Sequence, residues 1–306
     1  MGYLFLAIAL LAGATKGYCG KRSSGYVTQT RDAILLNLLR MGLCIVTGFF
    51  TLLAQGQLSA LAVDSTTLWI TALSGTCTAM FVVCWLLTVK CGAYMQLEVF
   101  LLAGMLIPMV GSAAMYHEQV RAHQWIGFAL MLAATFLMCS YNKRINGKTT
   151  LKGLILLLLS AIFNGLTDFS QKIFVANVPS GNAAVYSFYT YVFAAVVLAV
   201  VFGLSSVKKQ GKVQQMPAKA YGYVVVMAIC LFAYSLFKTK AASLLPAAQL
   251  YPLSQGLSII LSSIMATVFF KERMTRESVI GISLAFISLL IMNCYDLLIQ
   301  PLLNWI

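Results

Sequence analysis

Three polar side chains, Asn164, Asp168 and Gln171, stand at i, i+4 and i+7 in the otherwise apolar stretch "GLILLLLSAIFNGLTDFSQKIFV" and so share one face of a helix. An ionised carboxylate near the centre of a bilayer costs about 2.5–3.5 kcal/mol, so the stripe must face protein or water and not lipid. It can line a substrate or coupling-ion route, or it can simply join helices by hydrogen bonds. Lys16 in "LLAGATKGYCGK", Arg40 in "ILLNLLRMGLCIV" and Glu98 in "YMQLEVFLLAG" interrupt apolar runs in the same way. Lys16 could pair with Asp168 or bind an anion, and Arg40 and Glu98 serve either interfacial packing or a cavity. Tyr251, Ser254 and Gln255 cluster in "QLYPLSQGLSII", where Pro252 removes a backbone donor. Such an interrupted helix offers backbone groups to a ligand, or bends. The candidate substrate-binding residues are therefore Lys16, Arg40, Glu98, Asn164, Asp168, Gln171, Tyr251 and Gln255.

Positioning these groups falls to helices that cross a membrane. The 306 residues are 60% hydrophobic and 9% charged, against about 25% charged in soluble domains, and the mean hydropathy is +0.88. Ten apolar runs are long enough to span, at roughly 3–22, 33–54, 67–88, 93–115, 124–141, 153–174, 184–205, 221–239, 246–269 and 278–298. The predicted fold class is an all-α membrane protein. Its net charge of +13 sits mainly in the connections, which is the pattern of membrane orientation and not of nucleic-acid binding. The first run has no basic n-region and no small-residue cleavage site, so it is expected to be a retained helix. The eight cysteines contain no CxxC, and Cys77, Cys84 and Cys91, seven apart, suggest a small-residue packing face. "TKGYCGKR" and "NKRINGKT" both lack the first glycine of a phosphate-binding loop. No Ser-His-Asp or paired-carboxylate constellation is present, so neither an enzyme nor a cofactor is expected.

An internal repeat organises the ten runs. Shifted by 151 residues, "GYLFLAIALLAGATKGYCGK" falls on "GLILLLLSAIFNGLTDFSQK", and shifted by 154, "YHEQVRAHQWIG" falls on "FKERMTRESVIG". Each half then has five spans. Five is odd, so the second half enters the membrane from the opposite side, a 5+5 inverted repeat of the kind found in secondary transporters. The predicted boundaries are a first repeat at 1–141, a connecting loop at 142–152, a second repeat at 153–298 and a tail at 299–306. The alignment also makes the first helix full length, with Lys16 inside it. Gly13, Gly17 and Gly20 become a groove corresponding to Asn164, Asp168 and Gln171, expected to lie opposite the stripe across the pseudo-two-fold axis.

At these residues the sequence resembles the drug/metabolite transporter superfamily, EamA-type, over nearly the whole chain. The resemblance is carried by the two "E-x8-G" patterns, Glu118 to Gly127 and Glu272 to Gly281, and by the stretch from "LLPAAQLYPLSQG" onward. That stretch also resembles the last two helices of the small multidrug resistance family. What the resemblance implies is a ten-helix inverted repeat, a central cavity lined by the first four helices of each half, and alternating access. The small multidrug resistance proteins carry a membrane-embedded Glu eight residues before the Lys that resembles Lys172; Asn164 and Gly13 stand at those positions here. This departure argues against proton-coupled export of lipophilic cations. Tyr251 matches that family's binding-site Tyr, while Ser254 replaces its neighbouring Trp and leaves less aromatic surface for a cation.

The leading function is a secondary transporter for a small polar metabolite, anionic or zwitterionic, because the candidate charges carry both signs. The alternatives are a drug or quaternary-cation exporter, and a lipid-linked sugar flippase subunit in which Lys21, Arg22 and Lys172 would meet headgroups. Partners follow: a small-molecule substrate, the lipid bilayer, and a proton or another ion as coupling partner, with no nucleic acid. A single chain is expected to suffice for function, with oligomers allowed. Thirteen Lys and Arg fall in odd-numbered connections against Arg121 and Lys240 in even ones, so the charge bias puts both termini outside the cytoplasm of a multi-pass cell-membrane protein. The resemblance implies the reverse, with both termini inside.

Overall fold

A computed structural model describes residues 1–24, 26, 30–90, 100–140, 151–207, 218–270 and 276–294. Among them are ten α-helices: α1 (Gly2–Ser24), α2 (Thr30–Ala54), α3 (Ser65–Lys90), α4 (Leu106–Tyr116), α5 (Ala122–Ser140), α6 (Leu151–Asn177), α7 (Ala183–Val207), α8 (Ala218–Ala242), α9 (Ala247–Phe270) and α10 (Arg276–Cys294). Each predicted span contains a described helix, but within 93–115 the helix α4 covers only Leu106–Tyr116, and residues 93–99 and 295–298 of the expected spans lie outside the described residues. α6 starts two residues before the expected 153, and α8 runs on to Ala242, which takes Lys240 into a helix. Among the described residues six helices are long and apolar enough to cross a membrane: α1, α2, α3, α6, α7 and α8. α1 is one unbroken helix and Lys16 lies more than two turns from either end, as the repeat alignment requires.

The chain forms two compact units, Met1–Leu87 with Leu166–Leu244, and Thr88–Gly165 with Leu245–Ile306. In the first, α1 packs along α8, and α2 packs on α7 and α8. Its core joins Met41, Cys44 and Leu52 of α2 to Tyr191, Ala194 and Leu198 of α7 and Phe232 of α8. α3 crosses α7 where Gly75 has no side chain; a Cβ there would lie 2.5 Å from the Thr190 carbonyl oxygen. Membrane helices gain little from the hydrophobic effect against one another, so close backbone approach of this kind supplies the packing attraction. Asp64 starts α3 by accepting from Thr67 Oγ1 at 2.5 Å and from Thr67 N at 3.3 Å.

In the second unit α5 packs along α10, and α9 contacts α4, α5 and α10. The Ser288 hydroxyl donates to the Gly127 carbonyl at 2.5 Å, where a Cβ on Gly127 would meet Met292. Glu118, first residue of one E-x8-G pattern, accepts from the Ala247 backbone N–H at 2.7 Å and so satisfies a first-turn donor of α9. The pattern is therefore built as a helix cap followed by a helix crossing. Pro108 lacks the N–H that would bond to the Gly104 carbonyl, and the helical run over residues 100–104 turns at Met105 before α4 resumes. That carbonyl faces Gly165 of α6, where any Cβ would collide with it.

Candidate functional site

One face of α8 organises the charged residues of the first unit. Met227, Tyr234 and Lys238 stand at i, i+7 and i+11 on it. Against it α1 brings two glycines of the expected groove: a Cβ on Gly13 would lie 3.1 Å from the Tyr234 ring, and one on Gly20 would lie 3.6 Å from Met227 Sδ. Gly17 has nothing within 4 Å. The expected glycine groove is thus a packing seam that makes room for the Tyr234 ring. Lys16, one turn on from Gly13, holds its Nζ 4.5 Å from the centroid of that ring, and Lys238 Nζ lies 5.3 Å from the same centroid.

Arg40 of α2 comes to the same α8 face one step away. Its Nη1 donates to Met227 Sδ at 3.8 Å, a weak acceptor, while its Nε is buried without a hydrogen-bond partner among the described residues. Cys44, one turn along, donates Sγ–H to the Ala228 carbonyl at 3.3 Å and pins α2 to α8. Neither Lys16 nor Arg40 has a carboxylate within salt-bridge distance among the described residues. The charges acting on the Lys16 ammonium are Arg40 and Lys238, which repel it, and Asp168, which attracts it.

The polar stripe of α6 meets α8 further along. Lys238 Nζ donates to Asp168 Oδ1 at 2.6 Å, with the two side chains 6% and 10% exposed. Gln171 Nε2 donates to Thr239 Oγ1 at 2.8 Å, and the Gln171 Oε1 is buried without a partner among the described residues. Lys172 is buried and donates to the Ala242 carbonyl at 3.4 Å. Behind the stripe, the Tyr186 hydroxyl joins Ser74 at 2.8 Å and Ser170 at 3.3 Å, tying α7 to α3 and α6. Thr239 also lines a cavity of about 470 Å³ with Gln55, Gln57, Phe174, Asn182 and Lys240. The stripe therefore runs from the Lys16 and Arg40 region to an opening at the end of the unit where α2, α6 and α8 finish.

Of the residues singled out from sequence, the fold brings Lys16, Arg40, Asp168 and Gln171 together in the first unit. Asn164, Tyr251 and Gln255 belong to the second; Tyr251 is fully buried, and Asn164 and Gln255 are half-buried. Glu98 and Cys91 lie outside the described residues, while Cys77 and Cys84 are buried in α3. Lys21 and Arg22 are exposed at the end of α1, where Arg22 Nε donates to the Tyr18 hydroxyl at 3.3 Å. Sequence reasoning missed Lys238, Tyr234 and Thr239. Lys238 stands just before the last turn of α8, close enough to the helix end to read as a lysine that snorkels to the interface; its signal was a cation inside "YSLFKTKAA" with a carboxylate available elsewhere.

Comparison with known proteins gives three findings. One crystal structure, titled only as that of a protein, superposes with a TM-score of 0.74 at 17% identity and covers 96% of both chains, a likeness of fold. No curated protein matches the sequence. The model of the EamA-like transporter family matches residues 151–294. The second half of the chain is thus similar to the EamA-like transporter family, part of the drug/metabolite transporter superfamily, and with its apolar helices the chain reads as a multi-pass membrane protein.

Proposed function

We propose that the chain is a secondary transporter that moves a small polar metabolite, anionic or zwitterionic, across the membrane by alternating access. The observation that carries this reading is the gathering of Lys16, Arg40, Asp168 and Lys238 on four helices of one unit, more than two turns inside α1 and α2. Charged groups at such depth are costly and serve transport far more readily than helix packing alone. The likeness to a transporter family supports the same reading.

The architecture proposed with it is the 5+5 inverted repeat. It is supported by the way each compact unit draws on both halves of the chain: α1 to α3 join α7 and α8, while α4 and α5 join α9 and α10, with α6 shared. The proposed orientation follows the charge bias, with odd-numbered connections cytoplasmic and both termini outside. A phosphatase fused to the C-terminus is then active; an inactive fusion with normal expression reverses the orientation. One chain is proposed to suffice, with a proton or another ion as coupling partner. The deciding experiment for function is uptake by proteoliposomes holding the purified chain, against amino acids, organic acids and quaternary amines, with and without a proton gradient. Uptake of quaternary amines alone would overturn the metabolite reading.

A further inference from the structure

Two cations in the first unit, Lys16 and Arg40, have no carboxylate within salt-bridge distance among the described residues. Lys16 rests on the face of Tyr234, and Arg40 on a thioether, both more than two turns from the ends of their helices. Both point toward α8 and so cannot discharge into water by snorkelling outward along lipid. Asp168 is bound at 2.6 Å by Lys238, which enters the unit from α8. Lys16, Arg40 and Lys238 together thus outnumber the one carboxylate among them. A substrate amine would meet repulsion from Lys16 and Arg40 and would have to displace Lys238 from Asp168. A carboxylate or phosphate instead supplies the counter-charge that the two cations lack. Arg40 adds geometric preference, since its buried Nε and its terminal nitrogens form a fork that suits two oxygens of one anionic group.

We infer that the substrate is an organic anion, a carboxylate or a phosphate ester, held between the Lys16 ammonium and the Arg40 guanidinium, with Asp168 committed to Lys238 and not to a substrate amine. This rests on the transporter reading for flux, but the binding claim is independent of it. The Tyr234 ring is shared by the two arms of the site, with Lys16 Nζ 4.5 Å and Lys238 Nζ 5.3 Å from its centroid. Gln171 and Thr239 then continue the polar surface from that pair to the cavity at the end of the unit.

The test uses the purified full chain and two readouts. Thermal stabilisation in detergent is measured with succinate, glucose 6-phosphate, a short-chain phosphatidic acid, alanine and tetraethylammonium, and uptake of the soluble probes is measured in phosphatidylcholine proteoliposomes. Succinate or glucose 6-phosphate is expected to stabilise the wild type. Lys16→Met and Arg40→Gln should each weaken that binding about tenfold or more, the loss of one charge-assisted hydrogen bond, while Lys16→Arg retains most of it. Stabilisation by phosphatidic acid alone assigns the same anion site to a lipid headgroup. Binding that depends on Lys16 and Arg40 without uptake keeps the anion site and overturns the transporter reading. Stabilisation by alanine or tetraethylammonium and not by the anions overturns the inference and leaves the transporter reading standing. Absence of stabilisation by any anion, or anion binding unchanged in both charge-removing variants, also overturns it. Should Arg40→Gln fail to fold, Arg40→Lys replaces it and is expected to bind more weakly because it loses the fork.

Discussion

Separating Lys238 from Asp168 should unbalance the helix bundle more than any other single change to its polar stripe. At 2.6 Å, and with an effective dielectric constant of about 20, the gross attraction is about 6 kcal/mol. Removing both ions from water costs several kcal/mol each, so the net contribution of the intact pair is small. Breaking it is a different matter. Asp168→Asn leaves the Lys238 ammonium buried against neutral partners and near two other cations, and Lys238→Met leaves the Asp168 carboxylate buried. Each single change should therefore destabilise the protein by about 3 kcal/mol, the range found for an orphaned buried ion and for a charge at helix centre. Asp168→Asn with Lys238→Met removes both charges and should lie within about 1 kcal/mol of the wild type, giving a coupling free energy of about 5 kcal/mol in the double-mutant cycle. Reversible unfolding in mixed micelles of increasing SDS content, followed by tryptophan fluorescence, measures all four proteins. Additivity of the two single changes to within about 0.5 kcal/mol would refute the reasoning, because it would mean that the two groups do not hold one another in the membrane.

Other parts of the fold give sharper local tests. Gly165→Val places side-chain carbon against the Gly104 carbonyl and Ile107, and should cost about 1–3 kcal/mol in the same unfolding measurement, whereas Gly222→Ala, with nothing within 4 Å, should be neutral or slightly stabilising. Glu118→Ala removes an acceptor from the first turn of α9 and should lower stability by about 1 kcal/mol, with Glu118→Gln closer to wild type. Outside the membrane spans, the hydrogen bonds from Thr67 hold the Asp64 carboxyl below its ordinary range. Its folded value lies below its unfolded one, so its contribution is present above the unfolded value near about 4 and is lost as pH falls through the folded value. Asp64→Asn should therefore reduce the acid-side fall in Tm, read by a thermal scan at a series of acid pH values; an unchanged acid limb would show that the cap is not formed in solution.

The helical class and the place of most helices were legible along the chain because the thickness of a bilayer imposes a one-dimensional rule. An apolar run of some 20 residues must cross, and its backbone must satisfy itself as a helix. The internal repeat added the length of α1 and so put Lys16 inside it. The same rule marked Arg40 and Asp168 as costly and therefore meaningful. What it left open was which helix meets which. Lys238 reaches Asp168 across 70 residues, Arg40 reaches Met227 across 187, and Glu118 caps α9 across 129. None of these pairings leaves a periodicity in the sequence. They arise where small residues such as Gly13, Gly20 and Gly165 let backbones approach, and a glycine in an apolar helix reads the same whether it faces a ring, a carbonyl or open space. Tertiary packing alone therefore decided that Gly13 receives the Tyr234 ring, that Lys238 takes the Asp168 carboxylate, and that Lys16 meets the Tyr234 ring and Arg40 the Met227 thioether.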